Sequence, residues 1–140
     1  MVKKITIAID AMGGENAPEK TIEGVKLFLK NNQTHDDFII NLFGDKKKIE
    51  EKLKKENIDR TNLKITHTES VVADDETPLT AIKNSKNTSM WNCISSQVTG
   101  DADISLSAGN TGVLLVVSRM ILKMMDDVSK PALAGLWPNN

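Results

Sequence analysis

Cysteine is nearly absent from this 140-residue sequence; Cys93 is the single one. No intrachain disulfide can form, and no zinc site can be assembled from cysteine pairs. Histidine is almost as scarce. His35 and His67 stand alone, neither at metal-ligand spacing from a second ligand, so each reads as a surface or structural residue rather than a metal ligand. Charge of one sign is not in excess: 18 basic and 19 acidic residues leave a formal net charge of −1, which argues against an open nucleic-acid-binding face. Long apolar runs are missing too, and nothing approaches the ~20 residues needed to span a bilayer. Met1-Val2-Lys3-Lys4 precedes an apolar run, as in a signal peptide. Asp10 interrupts that run, the chain passes into Gly13-Gly14-Glu15, and no small-residue cleavage site follows. These absences describe a cytosolic chain without metal or nucleic acid, with peripheral membrane contact left open.

Hydrophobic residues make up 39% and charged residues 26%, the balance of an ordinary globular protein of one domain. Ile5-Thr6-Ile7-Ala8-Ile9 is β-branched and bounded by Asp10 and Gly13, which predicts a buried first strand. Pro18 and Glu19 suit a helix start, and Ile22, Val25 and Phe28 or Leu29 continue at helical spacing to about Lys30. Residues 38–43 predict a second strand closed by Gly44. Asp45 caps a helix with Ile49 and Leu53 inside and a lysine-rich outer face. That face reads either as a surface for acidic partners or as a solvated face with i,i+4 ion pairs, the latter being preferred. Residues 63–67 predict a third strand. Thr77 and Pro78 open a short helix. Trp91, Ile94 and Val98 mark the apolar face of the next helix, which ends near Gly100. Ile104-Ser105-Leu106 predicts a fourth strand, Val113 opens an apolar helix running through Met124, and Pro131 to Leu136 predicts a further extended segment. Strand and helix alternate, so the fold class is α/β with a mainly parallel sheet covered by helices on both faces.

Ligands of open parallel sheets bind beyond the carboxyl ends of the strands. Three turns occupy such places: Asp10-Ala11-Met12-Gly13-Gly14, Gly44-Asp45, and Ser107-Ala108-Gly109-Asn110-Thr111-Gly112. The last combines two glycines with polar side chains at a helix start, where unpaired amides and the dipole favour a phosphate or a developing oxyanion. On spacing alone, Asn110 or Thr111 could equally be a helix cap. The turn is neither a Walker loop nor a G-x-G-x-x-G fingerprint. Asp10 could hold its turn, orient a substrate or act as a base. Lys83 and Lys86 could add positive charge or be plain surface lysines. Cys93 reads as an inert buried thiol, with no paired histidine evident.

Taken together, these motifs resemble one family. Asp10-Ala11-Met12-Gly13-Gly14-Glu15-Asn16-Ala17-Pro18 is similar to the D-x-M-G-G-D-x-x-P signature of the bacterial phosphate acyltransferases of phospholipid synthesis. Leu42-Phe43-Gly44-Asp45 is similar to that family's second strand end. Asp75-Glu76-Thr77-Pro78, Ala81-Ile82-Lys83 and Thr88-Ser89-Met90 follow its D-x-x-P, A-I-R and S-S-M stretch. Residues 107–112 match its S-A-G-N-T-G turn without change, and Pro131-Ala132-Leu133-Ala134 resembles the segment after it. Glu15, Lys83 and Thr88 depart from the usual aspartate, arginine and serine. Lysine keeps the charge at position 83 but lacks the planar fork that grips phosphate in two places.

The resemblance implies a three-layer fold like that of phosphate acetyltransferases and isocitrate-type dehydrogenases, of which residues 1–140 form an N-terminal portion, incomplete at the C-terminus. It implies transfer of a fatty acyl group from acyl carrier protein to inorganic phosphate, with no cofactor or metal, and a homodimer that associates peripherally with the membrane when full length. Asn110, Thr111 and Asp10 are the expected catalytic residues. Gly13, Gly14, Lys83, Ser107, Gly109 and Gly112 are the expected substrate-binding ones. Two alternatives stay open: a shortened, non-catalytic chain that binds phosphate or a partner, and an acyltransferase that uses coenzyme A.

Overall fold

In the computed structural model, which describes residues 4–32, 37–73 and 75–136, the nine regular elements among the described residues follow the apolar pattern closely. They are β1 (Ile5–Asp10), α1 (Glu19–Asn31), β2 (Phe38–Gly44), α2 (Lys46–Lys55), β3 (Leu63–His67), α3 (Pro78–Asn84), α4 (Ser89–Val98), β4 (Ile104–Ser107) and α5 (Thr111–Ile121). His35, Asp74 and residues 137–140 lie outside the described residues. The four strands form one parallel sheet in the order β3-β2-β1-β4. Parallel neighbours need crossovers, and the helices supply them.

Register and side-chain alternation divide the residues between two faces. Ile7 pairs with Ile40, and Ile9 with Leu42. This face meets Ile22, Val25 and Leu29 of α1 and Ile49 and Leu53 of α2 in one apolar cluster. Burying each such side chain contributes roughly 1.5–3 kcal/mol. The other face brings Ala8 and Phe43 against Cys93 of α4, with Ala102. Small side chains at Ala8 and Ala102 let α4 approach the sheet closely. A second cluster joins Ala81 of α3, Met90 and Ile94 of α4, and Val113 and Val117 of α5. Helices therefore cover both faces of the sheet.

Each helix start has a local cause. Asp45 accepts from the amides of Lys47 and Lys48. Thr77 and Thr80 form a capping box, and Thr88 Oγ1 accepts from Trp91 N while donating to Ser85 O. Caps of this kind are worth about 1 kcal/mol each. Pro18 stands at the N-cap of α1, with a cis peptide bond to Ala17.

Three expectations are corrected. α5 stops at Ile121 rather than Met124. Residues 131–136 form no strand; they run irregularly, and Pro131, Ala132 and Leu133 line a groove with α5 residues. Apolar composition alone does not make a strand; the segment must also pair with a strand edge, and these residues pair with none among the described residues. Val98 is exposed; Ile94 is buried as expected, Trp91 packs partly buried on the cluster, and Met90 and Cys93 complete the inner face of α4.

Candidate active site

The carboxyl ends of β1 and β4 lie side by side, with Asp10 opposite Ser107 in the register. This pairing brings together two turns that are 97 residues apart in sequence. Asp10 is almost fully buried. One of its carboxylate oxygens accepts from Ser107 Oγ at 2.8 Å and the other from Met12 N at 3.2 Å. Ser107 Oγ in turn accepts from Gly109 N at 3.1 Å. The serine has one proton, and it goes to Asp10, so its oxygen is left to receive the Gly109 amide. A carboxylate, which only accepts, satisfies this arrangement at both oxygens. Asp10 thus shapes both turns.

The glycines are required by crowding. A Cβ on Gly13 would lie 2.6 Å from Asp10 Oδ2, 2.8 Å from Ser107 Oγ and 2.9 Å from Gly109 N. Gly14 has φ +92° and backs onto Ala108 O, where a Cβ would come within 2.8 Å. Both close approach and a left-handed backbone exclude other residues there. Gly109 packs beneath Met90, and Gly112 against Pro78.

Asn110 is the N-cap of α5. Its Oδ1 accepts from Val113 N at 3.1 Å, and its Nδ2 donates to Glu76 O at 3.1 Å. The carboxamide therefore both caps the helix and ties the turn to the segment before α3. Thr111 is exposed at the first position of α5. The amides of Val113 and Leu114 are taken by Asn110. Those of Thr111 and Gly112 have no partner among the described residues, as expected at a helix start.

Lys83 sits exposed in the last turn of α3, which packs on α5. No hydrogen bond or ion pair among the described residues joins it to the turn. Asp10, Gly13, Gly14, Ser107, Gly109, Asn110, Thr111 and Gly112 come together at the ends of β1 and β4 and the start of α5, on which the helix bearing Lys83 packs. Cys93 lies fully buried beneath Asp10. Burial first, and then the charge of Asp10, pushes its thiol up to about 12. It stays protonated and is no nucleophile. The described residues contain no group of three or more acidic, histidine or cysteine side chains that could hold a metal ion, and no helix among them is long and apolar enough to cross a membrane.

Three supporting residues escaped the sequence reading: Met90 over Gly109, Pro78 against Gly112 and the Glu76 carbonyl on Asn110. All belong to the stretch before and within α3 and α4. Their only sequence signal was that this stretch carried family-like motifs of its own.

Comparison with known proteins settles the lineage. A family model described as fatty acid synthesis protein matches residues 5–140. The chain belongs to that family. Among the family's relatives, the phosphate acyltransferase of Pelagibacter ubique is 44% identical over 139 residues, 99% of this chain and 40% of its own length. Those of Azorhizobium caulinodans and Bradyrhizobium diazoefficiens are 38% and 37% identical, each again over 99% of this chain and 38% of theirs. The chain thus spans about 40% of the length of the curated relatives it matches. The motif resemblance and the α/β fold agree with this membership.

Proposed function

We propose that the turn from Ser107 to Gly112 binds inorganic phosphate and supports its acylation by a fatty acyl thioester of acyl carrier protein, within the N-terminal portion of a larger acyltransferase domain. The observation that carries this reading is the interlock of the two turns through Asp10, Ser107, Gly109 and Gly13. It ties down the start of α5, where Thr111 is exposed and the amides of Thr111 and Gly112 have no partner among the described residues. Amides at a helix start, aided by the dipole, suit a dianion.

In the reaction a phosphate oxygen attacks the thioester carbonyl. A C–O bond forms, the C–S bond breaks, and the carrier leaves as a thiolate that takes up a proton. Phosphate is the nucleophile, so the protein needs none; its tasks are to orient phosphate and to stabilise the tetrahedral oxyanion. Asn110 holds the cap and Thr111 donates. Asp10 and the paired glycines keep the turn in shape, and Lys83 contributes charge from the neighbouring helix. The family resemblance further supports a cytoplasmic homodimer with peripheral membrane association in the complete protein, and it calls for no cofactor.

Titration of phosphate into the isotopically labelled chain tests the reading. The Thr111 and Gly112 amide signals should shift saturably, and Asn110→Ala should abolish the shift. Signals that do not respond to phosphate would sink it. Formation of acyl phosphate from acyl carrier protein thioester, set against acetyl-coenzyme A, decides the carrier. A second reading, phosphate binding without turnover, is favoured by Ile104 and Leu106, which remain about half exposed on the strand that bears the turn. The same assay separates the two.

A further inference from the structure

The outer face of α2 carries a charge pattern that the proposed chemistry does not use. Its ten residues include six lysines and two glutamates. Lys46, Lys47 and Lys48 occupy the first turn, where no acidic residue is present. Positive charge there opposes the helix dipole, so local helix stability gives no reason for it. The amides of that turn are already satisfied: Asp45 accepts from Lys47 N and Lys48 N, and His67 Nδ1 from Lys46 N.

Ion pairing does not account for the lysines either. Lys52 is bound by Glu56 and Glu23, and Lys46 reaches Glu50 only at 4.0 Å. Lys47, Lys48, Lys54 and Lys55 are exposed, with no carboxylate partner among the described residues. Lys48, Lys52 and Lys55, one above another at helical spacing, form with Glu51 one wall of a groove of about 490 Å³ against Pro18 and Glu19 at the start of α1. With six lysines against two glutamates, the outer face of α2 is a cationic strip bordering this groove, in a chain of formal charge −1.

Its place in the fold matters. α2 begins directly after Gly44, at the carboxyl end of β2, and Met12 of the Asp10 turn packs on Gly44. β2 is separated from β4 by β1 alone. Two strand spacings put the lysine turn about 10 Å to the side of the 107–112 turn. A body seated on the strip would need an extended arm to bring a reacting group to the turn.

We propose that the lysine face of α2 is the docking surface for an acidic protein that delivers the acyl group on a flexible arm. This rests on the reading of the site as an acyltransferase turn, and it requires the carrier to present clustered carboxylates. Rim charges of this kind govern association rate and salt dependence.

The test compares the chain with Lys47→Glu/Lys48→Glu/Lys55→Glu for binding of acylated acyl carrier protein. Binding should weaken at least tenfold in the variant and fall steeply with salt in the parent. The variant's thermal midpoint should stay within a few degrees of the parent's, because all three lysines are exposed and glutamates at 47 and 48 suit a helix start while one at 55 opposes the dipole, so lost binding cannot be laid to unfolding. Affinity within twofold of the parent overturns the proposal. So does a parent that binds vesicles of anionic lipid but not the carrier. Phosphate titration of the same variant keeps the two readings apart: an intact Thr111 response with unchanged carrier binding refutes the docking surface alone, whereas a missing response in the parent refutes the turn.

Discussion

The two edges of the sheet are finished to different degrees. On the β2–β3 side, α1 and α2 close over the strands, and Ile22, Leu42 and Ile49 are wholly inaccessible. On the β4 side, Ile104 and Leu106 are 47% and 52% exposed on the same face, and an apolar groove lined by Ile7, Ile9, Phe28 and Leu106 opens beside α1. The 107–112 turn is carried on this less covered strand. Its order comes from a polar interlock with β1, whereas the β2–β3 side is held by packed hydrocarbon. Directional hydrogen bonds among buried groups can fix a turn where apolar cover is thin.

The contrast can be broken at several points. The largest effect is expected from Leu42→Ala, which leaves a cavity in the closed cluster and should cost about 2–5 kcal/mol in denaturant unfolding. Leu106→Ala, at a half-exposed position, should cost under about 1 kcal/mol. Equal losses would show that the β4 side is as well covered as the other. Next in size is Gly13→Ala. Its Cβ has no room among Asp10, Ser107 and Gly109, so we expect about 1–3 kcal/mol of destabilisation. Loss of the phosphate response at Thr111 should accompany it. A variant of parental stability and response would mean that the interlock does not govern the turn.

The smallest effect concerns the polar rim of the closed side. Hydrogen bonds from Lys26 and then Lys52 hold the Glu56 carboxyl at about 2, below its ordinary 4.5. A folded value below the unfolded one means that the ion pairs contribute fully above about pH 4.5 and lose that contribution as pH falls toward 2. The groups are solvent-screened, so the contribution is small. Thermal midpoints measured from pH 6 to pH 2 should show a slight Glu56-dependent fall that vanishes in Glu56→Gln and shrinks at high salt. An identical pH profile in the variant would remove Glu56 from the account.

Much of this molecule was legible in its residues. Ile5 to Ile9, Phe38 to Phe43 and Leu63 to His67 read as strands because β-branched and aromatic residues are bounded there by glycine and aspartate. Asp45 and Thr77 read as caps because their oxygens reach the next amides within one turn, a purely local event. Where the local signal was ambiguous, reading failed. Residues 131–136 had the composition of a strand but pair with no strand among the described residues, and α5 was read three residues too long because apolar character continues past Ile121. The neighbours of Gly109 and Gly112, Met90 and Pro78, lie about 20–35 residues away in sequence, beyond the reach of any local pattern.

The site divides the same way. Sequence alone determined that Ser107 to Gly112 is a glycine turn opening a helix, and that Asp10 ends a strand beside two glycines, because turn chemistry is written in a few adjacent residues. Only the tertiary structure decided that these turns are one object. The parallel register of β1 and β4 sets Asp10 opposite Ser107, so the carboxylate takes the serine proton and the serine oxygen takes the Gly109 amide. A register is a relation between distant segments, selected by which apolar faces can be buried together, and no single stretch of the chain contains it.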